Sequence, residues 1–246
     1  MGAYRELAPA REVHPLIACR WVRDVPENEQ SHSTLVLPDG CVDLLWRDER
    51  LLVAGPDRAA QSSPIQAGLA IVGIRLRPGV AGVVLGMPAS ELLDARVPLE
   101  EVLGSRAAEL SERLGQARGH EEAFQLLEGL IASLADDAGP DPLVLAATRR
   151  LGFPGSRIDE LAAALGISER QLRRRFHRDV GYGPKTLDRV LRFRRLVSRA
   201  RAVCAGEEDL ARLAAELGYA DQAHMTRETL SLSGLTPPRL ATIWAG

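Results

Sequence analysis

The chain has 246 residues, 46% hydrophobic and 26% charged, close to the globular averages of about 45–50% and 25%, which excludes a mainly disordered or fibrous protein. Its length suits one large domain or two small ones. The formal net charge of -2 conceals an asymmetry, because residues 1–150 carry 15 basic and 22 acidic side chains while residues 151–246 carry 16 and 11.

In chain order, the start lacks the basic-then-apolar order of a secretory signal, and no window approaches the ~18 uninterrupted apolar residues of a membrane span. A cytoplasmic protein without a membrane partner is expected. Short apolar runs at residues 35–37, 41–46, 51–54 and 69–76 are separated by Pro38-Asp39-Gly40, residues 47–50 and Gly55-Pro56, which is how strands and turns read. After Pro78-Gly79 the pattern becomes helical, with segments expected at 80–85, 106–114 and 121–134. The last two offer an apolar stripe for a two-fold homodimer. Residues 136–142 read as a linker, so the expected domains are 1–138 and 139–246. Cys19, Cys41 and Cys204 lie far apart, and His14, His32, His120, His177 and His224 show no paired spacing. Neither set predicts a metal site, and no cofactor is expected.

From Ile158 the apolar residues Ile158, Leu161, Ala162 and Leu165 keep helical spacing, and Gly166 stops the pattern. Ser168-Glu169-Arg170-Gln171 then reads as a capping box that starts a second helix at Glu169. In this helix Leu172 and Phe176 face inward, whereas Arg170, Arg174 and His177, flanked by Gln171 and Arg173, lie on the opposite side. Two short helices about a Gly turn, the second bearing exposed Arg and Gln, have the form of a helix-turn-helix. Arg and Gln also match guanine and adenine edges in the major groove.

The pattern repeats. Leu213-Ala214-Ala215-Glu216-Leu217-Gly218 matches Leu161-Ala162-Ala163-Ala164-Leu165-Gly166 at an offset of 52. Asp221 can cap the next helix as Ser168 does, and its outward face is Gln222, Ala223 and Arg227, with Thr226 at the edge. Between the copies, Pro184 is placed as a first helical residue, and Leu187, Val190, Leu191, Val197 and Ala200 make a stripe through Val203. Such a helix of some twenty residues spans about 30 Å, near the 34–36 Å of one DNA turn. From Glu169 to Arg201 eleven Arg and Lys185 face only Glu169, Asp179 and Asp188. A solvated helical face normally mixes its signs, so this excess points to a polyanion. Arg189, Arg192, Arg195 and Arg199 on the connector suit either phosphate neutralisation or a solvated surface.

These residues resemble the DNA-binding domain of AraC/XylS-type bacterial transcription regulators over residues 142–243. The match rests on Ser168 to Phe176, on Val180-Gly181-Tyr182-Gly183-Pro184-Lys185, on Gly218 to Arg227, and on Gly234-Leu235-Thr236-Pro237. The resemblance implies double-stranded DNA as partner, with RNA polymerase as a further one, and DNA contacts from Ser168, Arg170, Gln171, Arg173, Arg174, His177, Lys185, Asp221, Gln222, Ala223, Thr226 and Arg227. The chain departs from the family at Met225 and Thr229, where Phe is common, and at Glu228, where a small residue is frequent. A looser, weaker second reader is the expectation. Ahead of this domain, Leu37-Pro38-Asp39-Gly40-Cys41-Val42-Asp43-Leu44-Leu45-Trp46 and Val53-Ala54-Gly55-Pro56 resemble an uncharacterised class of cupin-like sensing or dimerisation domains.

The expected fold class is therefore α+β, a small β-domain with helices followed by two helix-turn-helix units joined by a long helix. His32, Asp43, Trp46 and Arg75 are candidates for a small-molecule effector pocket, although strand alternation alone puts Asp43 on the solvated face. An interaction module that has lost DNA binding is the alternative. An enzyme is not expected: a Cys alkyl acceptor needs a base or metal cluster, and none lies near Cys19 or Cys41 in the sequence.

Overall fold

A computed structural model describes residues 3–135 and 139–244; the linker expected at 136–142 and the domain boundary at 138 therefore fall partly outside the described residues. The first domain holds β1 (Ala3–Leu7), β2 (Ile17–Asp24), β3 (His32–Val36), β4 (Val42–Arg47), β5 (Arg50–Ala54), β6 (Gln61–Ile65) and β7 (Ala70–Leu76). The helix α1 (Ala81–Leu85) and a 3-10 turn (Ala89–Leu92) lead into β8 (Arg96–Pro98), α2 (Glu100–Leu103), α3 (Ser105–Gly115) and α4 (His120–Ala135). One antiparallel sheet runs in the order β1-β2-β7-β4-β5-β8, and β3 pairs with β6 in a second.

The sheet is dry on both sides at its centre, and the two sides differ. Val22, Leu44, Val53, Val72, Ile74 and Leu76 face the helices, where Leu110, Leu114, Phe124, Leu127 and Ile131 close the core. Most of that stripe packs against the domain's own sheet, while Leu126, Leu130 and Leu134 of α4 stay half-buried. On the other side Cys19, Trp21, Leu45 and Ile71 pack with Ile65 and Leu69 at the small β3–β6 sheet. An irregularity between Ile17 and Cys19 lets β2 supply both sides, because Ile17 sits in the helical core and Cys19 in the other.

The second domain contains α5 (Pro142–Leu151), α6 (Ile158–Ala164), α7 (Glu169–Asp179), α8 (Pro184–Ser198), α9 (Ala200–Cys204), α10 (Leu210–Glu216), α11 (Gln222–Ser233) and α12 (Pro237–Trp244). One core gathers Leu151, Leu161, Leu172, Phe176, Val190 and Phe193; a second, around Leu196, Leu213, Leu217 and Met225, supports α11. The connector is shorter as a rod than its stripe suggests. α8 has 15 residues, about 22 Å. Arg199 then leaves the helical region at φ -98 and ψ 5, and α9 resumes for five residues. The apolar stripe carries through, but the helix is interrupted at Arg199.

The domains are packed together. Leu37 and Leu93 of the first join the core of the second, while Leu145 of α5 packs against the core of the first. The Ala60 N–H donates to the Leu232 carbonyl of α11 at 2.7 Å.

Candidate nucleic-acid interface

The two units are built by the same local rules. Gly166 (φ +67) and Gly218 (φ +84) end α6 and α10 in the left-handed region, where an L side chain is strained. In the first, Gly166 N–H donates to Ala163 and Ile167 N–H to Ala162; in the second, Gly218 donates to Ala215 and Tyr219 to Ala214. Both are Schellman closures at the same offset. Each following helix is then capped by an oxygen side chain. Ser168 Oγ accepts from Gln171 N–H at 3.3 Å, with Gln171 Oε1 accepting from Ser168 N–H at 2.9 Å, and Asp221 Oδ1 accepts from His224 N–H at 2.6 Å.

α7 buries Leu172 and Phe176 completely and leaves Arg170, Gln171, Arg173, Arg174 and His177 exposed. Arg173 pairs loosely with Glu169 at 3.6 Å, an exposed contact of little energy. Arg170 and Arg174 have no ion-pair partner among the described residues, so this face is an open cationic surface. Gln171 is constrained. Its carbonyl oxygen is held by both the N–H and the hydroxyl of Ser168, leaving the amide N–H groups as donors and making a bidentate contact with adenine incompatible with the cap. Lys185, exposed at the start of α8, lines a cleft of about 420 Å³ with Arg157, Arg173 and Pro184. On α11, Asp221, Gln222, Ala223 and Arg227 are exposed and Thr226 is half-buried, its hydroxyl bonded to the Gln222 carbonyl at 2.9 Å. The twelve residues expected at DNA thus lie at the surface of the two recognition helices, at their caps, or at the start of α8.

Six further arginines of this domain are held by neighbours. Arg175 and Arg178 turn back to Asp141, which caps α5 by accepting from Leu143 N–H at 2.9 Å. Burial pushes the Asp141 carboxyl up, but the Arg175 hydrogen bond and the α5 backbone N–H groups outweigh it and hold the group below the usual carboxylate range. On the connector, Arg189 and Arg192 meet Glu228 of α11 at 3.0 and 3.4 Å, Arg192 also donates to the Gly218 carbonyl at 2.9 Å, Arg195 donates to the Gly152 carbonyl at 2.8 Å, and Arg199 pairs with Glu208. These contacts bracket the connector to its neighbours, a third role beside the two open from sequence, phosphate neutralisation and solvated surface. The signal in the sequence was Glu228 itself, an acid where the family favours a small residue. Thr229, where an aromatic is common, is fully buried with its hydroxyl satisfied by the Met225 carbonyl at 2.7 Å.

The four effector candidates do not converge. Asp43 and Arg75 face each other across β4 and β7 and form two hydrogen bonds of 3.0 Å, with Asp39 and Glu6 also on the guanidinium. Burial pushes the Asp43 carboxyl up, against the pull of Arg75. Trp46 lies on the opposite side of the sheet, packed against the helical core, and His32 sits on β3, bonded to the Gln30 carbonyl at 3.1 Å. Asp43 is half-buried rather than solvated, paired with an Arg75 that also holds Asp39.

Loops of the first domain hold the turn after α7. Gly181, just past α7, has φ +97, and a Cβ there would lie 2.5 Å from Pro56 and 3.0 Å from the Ala89 carbonyl. Tyr182 is 3% exposed, and its hydroxyl is buried beside Gly40 with no hydrogen-bond partner among the described residues. The two motifs that mark the first domain in the sequence, around Asp39-Gly40 and Gly55-Pro56, are thus where it grips the turn after α7.

Two family models match the chain: a domain of unknown function (DUF6597) over residues 5–98 and a helix-turn-helix domain (HTH_18) over residues 161–242. The second domain is a helix-turn-helix domain of the AraC type. The match places DNA binding and transcription regulation in the second domain of the regulator and an uncharacterised domain ahead of it. No curated protein matches it. Among solved structures it is similar to ToxT from Vibrio cholerae O395 (9% identity, 100% of this chain and 98% of that one, TM-score 0.44) and to wild-type ToxT from Vibrio cholerae strain SCE256 bound to an unsaturated fatty acid (10% identity, 100% and 96%, TM-score 0.41). Such scores are too low to carry a property of ToxT over to the regulator. Among its described residues no helix is long and apolar enough to cross a membrane, and no cluster of three His, Cys, Asp or Glu is placed to hold a metal.

Proposed function

We propose that each chain reads two adjacent major-groove half-sites, one through α7 and the next through α11. The carrying observation is the duplication: two units closed by the same Gly motif and capped alike, each presenting an exposed polar face. Arg170 and Arg174 are assigned to base edges, Arg173, His177 and Lys185 to the phosphate backbone, Ser168 and Asp221 to capping, and Gln171, Gln222, Ala223, Thr226 and Arg227 to the groove. α11 is the less basic reader.

Control is assigned to the first domain, because its loops at Asp39-Gly40 and Pro56 hold the turn that follows α7. Of the effector candidates, the Asp43–Arg75 pair is the part of the set placed to act together, next to that grip. A homodimer and a contact with RNA polymerase belong to the same reading. The chain acts without catalysing a reaction of its own: burial pushes the Cys19 thiol up to about 11 and raises that of Cys41, the opposite of what an alkyl-accepting thiolate needs.

Selection of bound fragments from a random duplex pool by the full chain tests this. The expected product is a site of two half-sites centred about one helical turn apart, bound with a log–log salt slope near -0.9 for each of ~6 phosphates. A flat salt response, or no enrichment, contradicts it.

A further inference from the structure

Glu228 is 9% exposed, yet it serves three partners. Arg189 Nε donates to its Oε1 at 3.0 Å, Arg192 approaches both oxygens, and His224 Nε2 lies 3.5 Å away. Arg192 in turn lies over the Tyr219 ring, 4.9 Å from its centre, and pairs with Asp188 at 3.6 Å. An acid this enclosed is costly unless its charge is matched, and here the matching cations come from α8, the connector. The cluster therefore does two things at once. It pins α11 to α8 through side chains that leave α11's exposed face untouched, and it occupies two arginines that lie between the readers.

We propose that Glu228 determines specificity: it fixes the seating of α11 on the connector and withholds Arg189 and Arg192 from the DNA backbone, so that discrimination rests on the recognition helices instead of on sequence-blind cations. Glu228 is a positioning residue and touches no base. The proposal rests on the reading of α11 as a second reader.

The test uses the full chain, a duplex selected by it from a random pool, and a random-sequence duplex of equal length, over a range of salt. Glu228→Gln keeps the shape and removes the charge. Release of Arg189, with or without Arg192, which Asp188 and the Gly218 carbonyl also hold, steepens the log–log slope on random duplex by about 0.9 to 1.8, raises affinity for it several-fold at low salt, and cuts discrimination about tenfold. A role in folding alone lowers binding to both duplexes together and leaves the slope unchanged, which overturns the proposal. Arg189→Gln gives an independent readout. In the natural background it leaves the slope unchanged, and in the Glu228→Gln background it removes about 0.9 of the added slope; a loss of about 0.9 in the natural background means that Arg189 already holds a phosphate and overturns the proposal. Arg227→Ala separates the two levels. If it leaves selected-duplex affinity intact, the second-reader reading fails and the specificity role with it; if it weakens that affinity while Glu228→Gln changes neither slope nor discrimination, the Glu228 proposal alone fails.

Discussion

Arg174 and Arg227 stand at matching places in the two units and are both exposed, but their surroundings differ. Arg174 shares its face with Arg170, Arg173 and His177, whereas Arg227 is flanked by Gln222, Ala223 and Thr226. Arg174→Ala is expected to cost about 1–3 kcal/mol of specific affinity and Arg227→Ala less, in a titration of each variant against the selected site. Equal losses contradict the ranking. A second residue-scale prediction concerns Gly181. An alanine there must adopt φ +97 and move Pro56 or the Ala89 carbonyl, so Gly181→Ala is expected to lower stability by about 1–3 kcal/mol in thermal unfolding. Ala at Gly86, which has open space and φ +67, pays the conformational part alone and is the control. The exposed arginines and both caps were legible in the sequence, because helical periodicity separates inward from outward positions. The pairing of Arg175 with Asp141 and of Arg189 and Arg192 with Glu228 was not, since these acids lie 34 to 39 residues away; Glu228 showed only as a departure from the family.

At the scale of elements, α6, α7, α10 and α11 could be read directly, each being framed by an apolar stripe, a left-handed Gly and a cap. β2 was also within reach, since Ile17, Cys19 and Trp21 alternate, yet the irregularity after Ile17 blurs the pattern. β6 was not: Gln61-Ser62-Ser63-Pro64-Ile65 has no apolar alternation and contains Pro, which a two-stranded edge pairing tolerates. The connector shows the same limit, because a continuous apolar stripe does not reveal the break at Arg199. Asp141 ties two elements, capping α5 while holding α7 through Arg175 and Arg178. Its pKa is lowered in the folded chain. The stabilisation is therefore present above the unfolded value of about 3.9 and is lost as pH falls through the lower folded value. Asp141→Asn keeps the cap and loses the ion pairs, with an expected cost near neutral pH of about 1–2 kcal/mol that shrinks in acid. A cost independent of pH between neutrality and strong acid contradicts this.

Across the whole molecule, two domains of opposite charge meet at the turn after α7, where Tyr182 is enclosed by loops of the acidic half. The family model for the helix-turn-helix half ends at residue 242 and starts at 161, so α5 and its Asp141 bracket belong to the junction as much as to the reader. The overall plan, β-domain then helical reader, was visible from charge and periodicity; the docking between the halves was not, being made by loops without a periodic signal. On the proposed reading, α7 and α11, joined through α8 and α9, engage one duplex, which must present its half-sites in phase with them. The most direct measurement takes the selected duplex and inserts five base pairs between its half-sites, turning the second by about half a helical turn. The predicted result is a fall in affinity to that of a duplex carrying one half-site. Unchanged affinity for the inserted duplex contradicts the account.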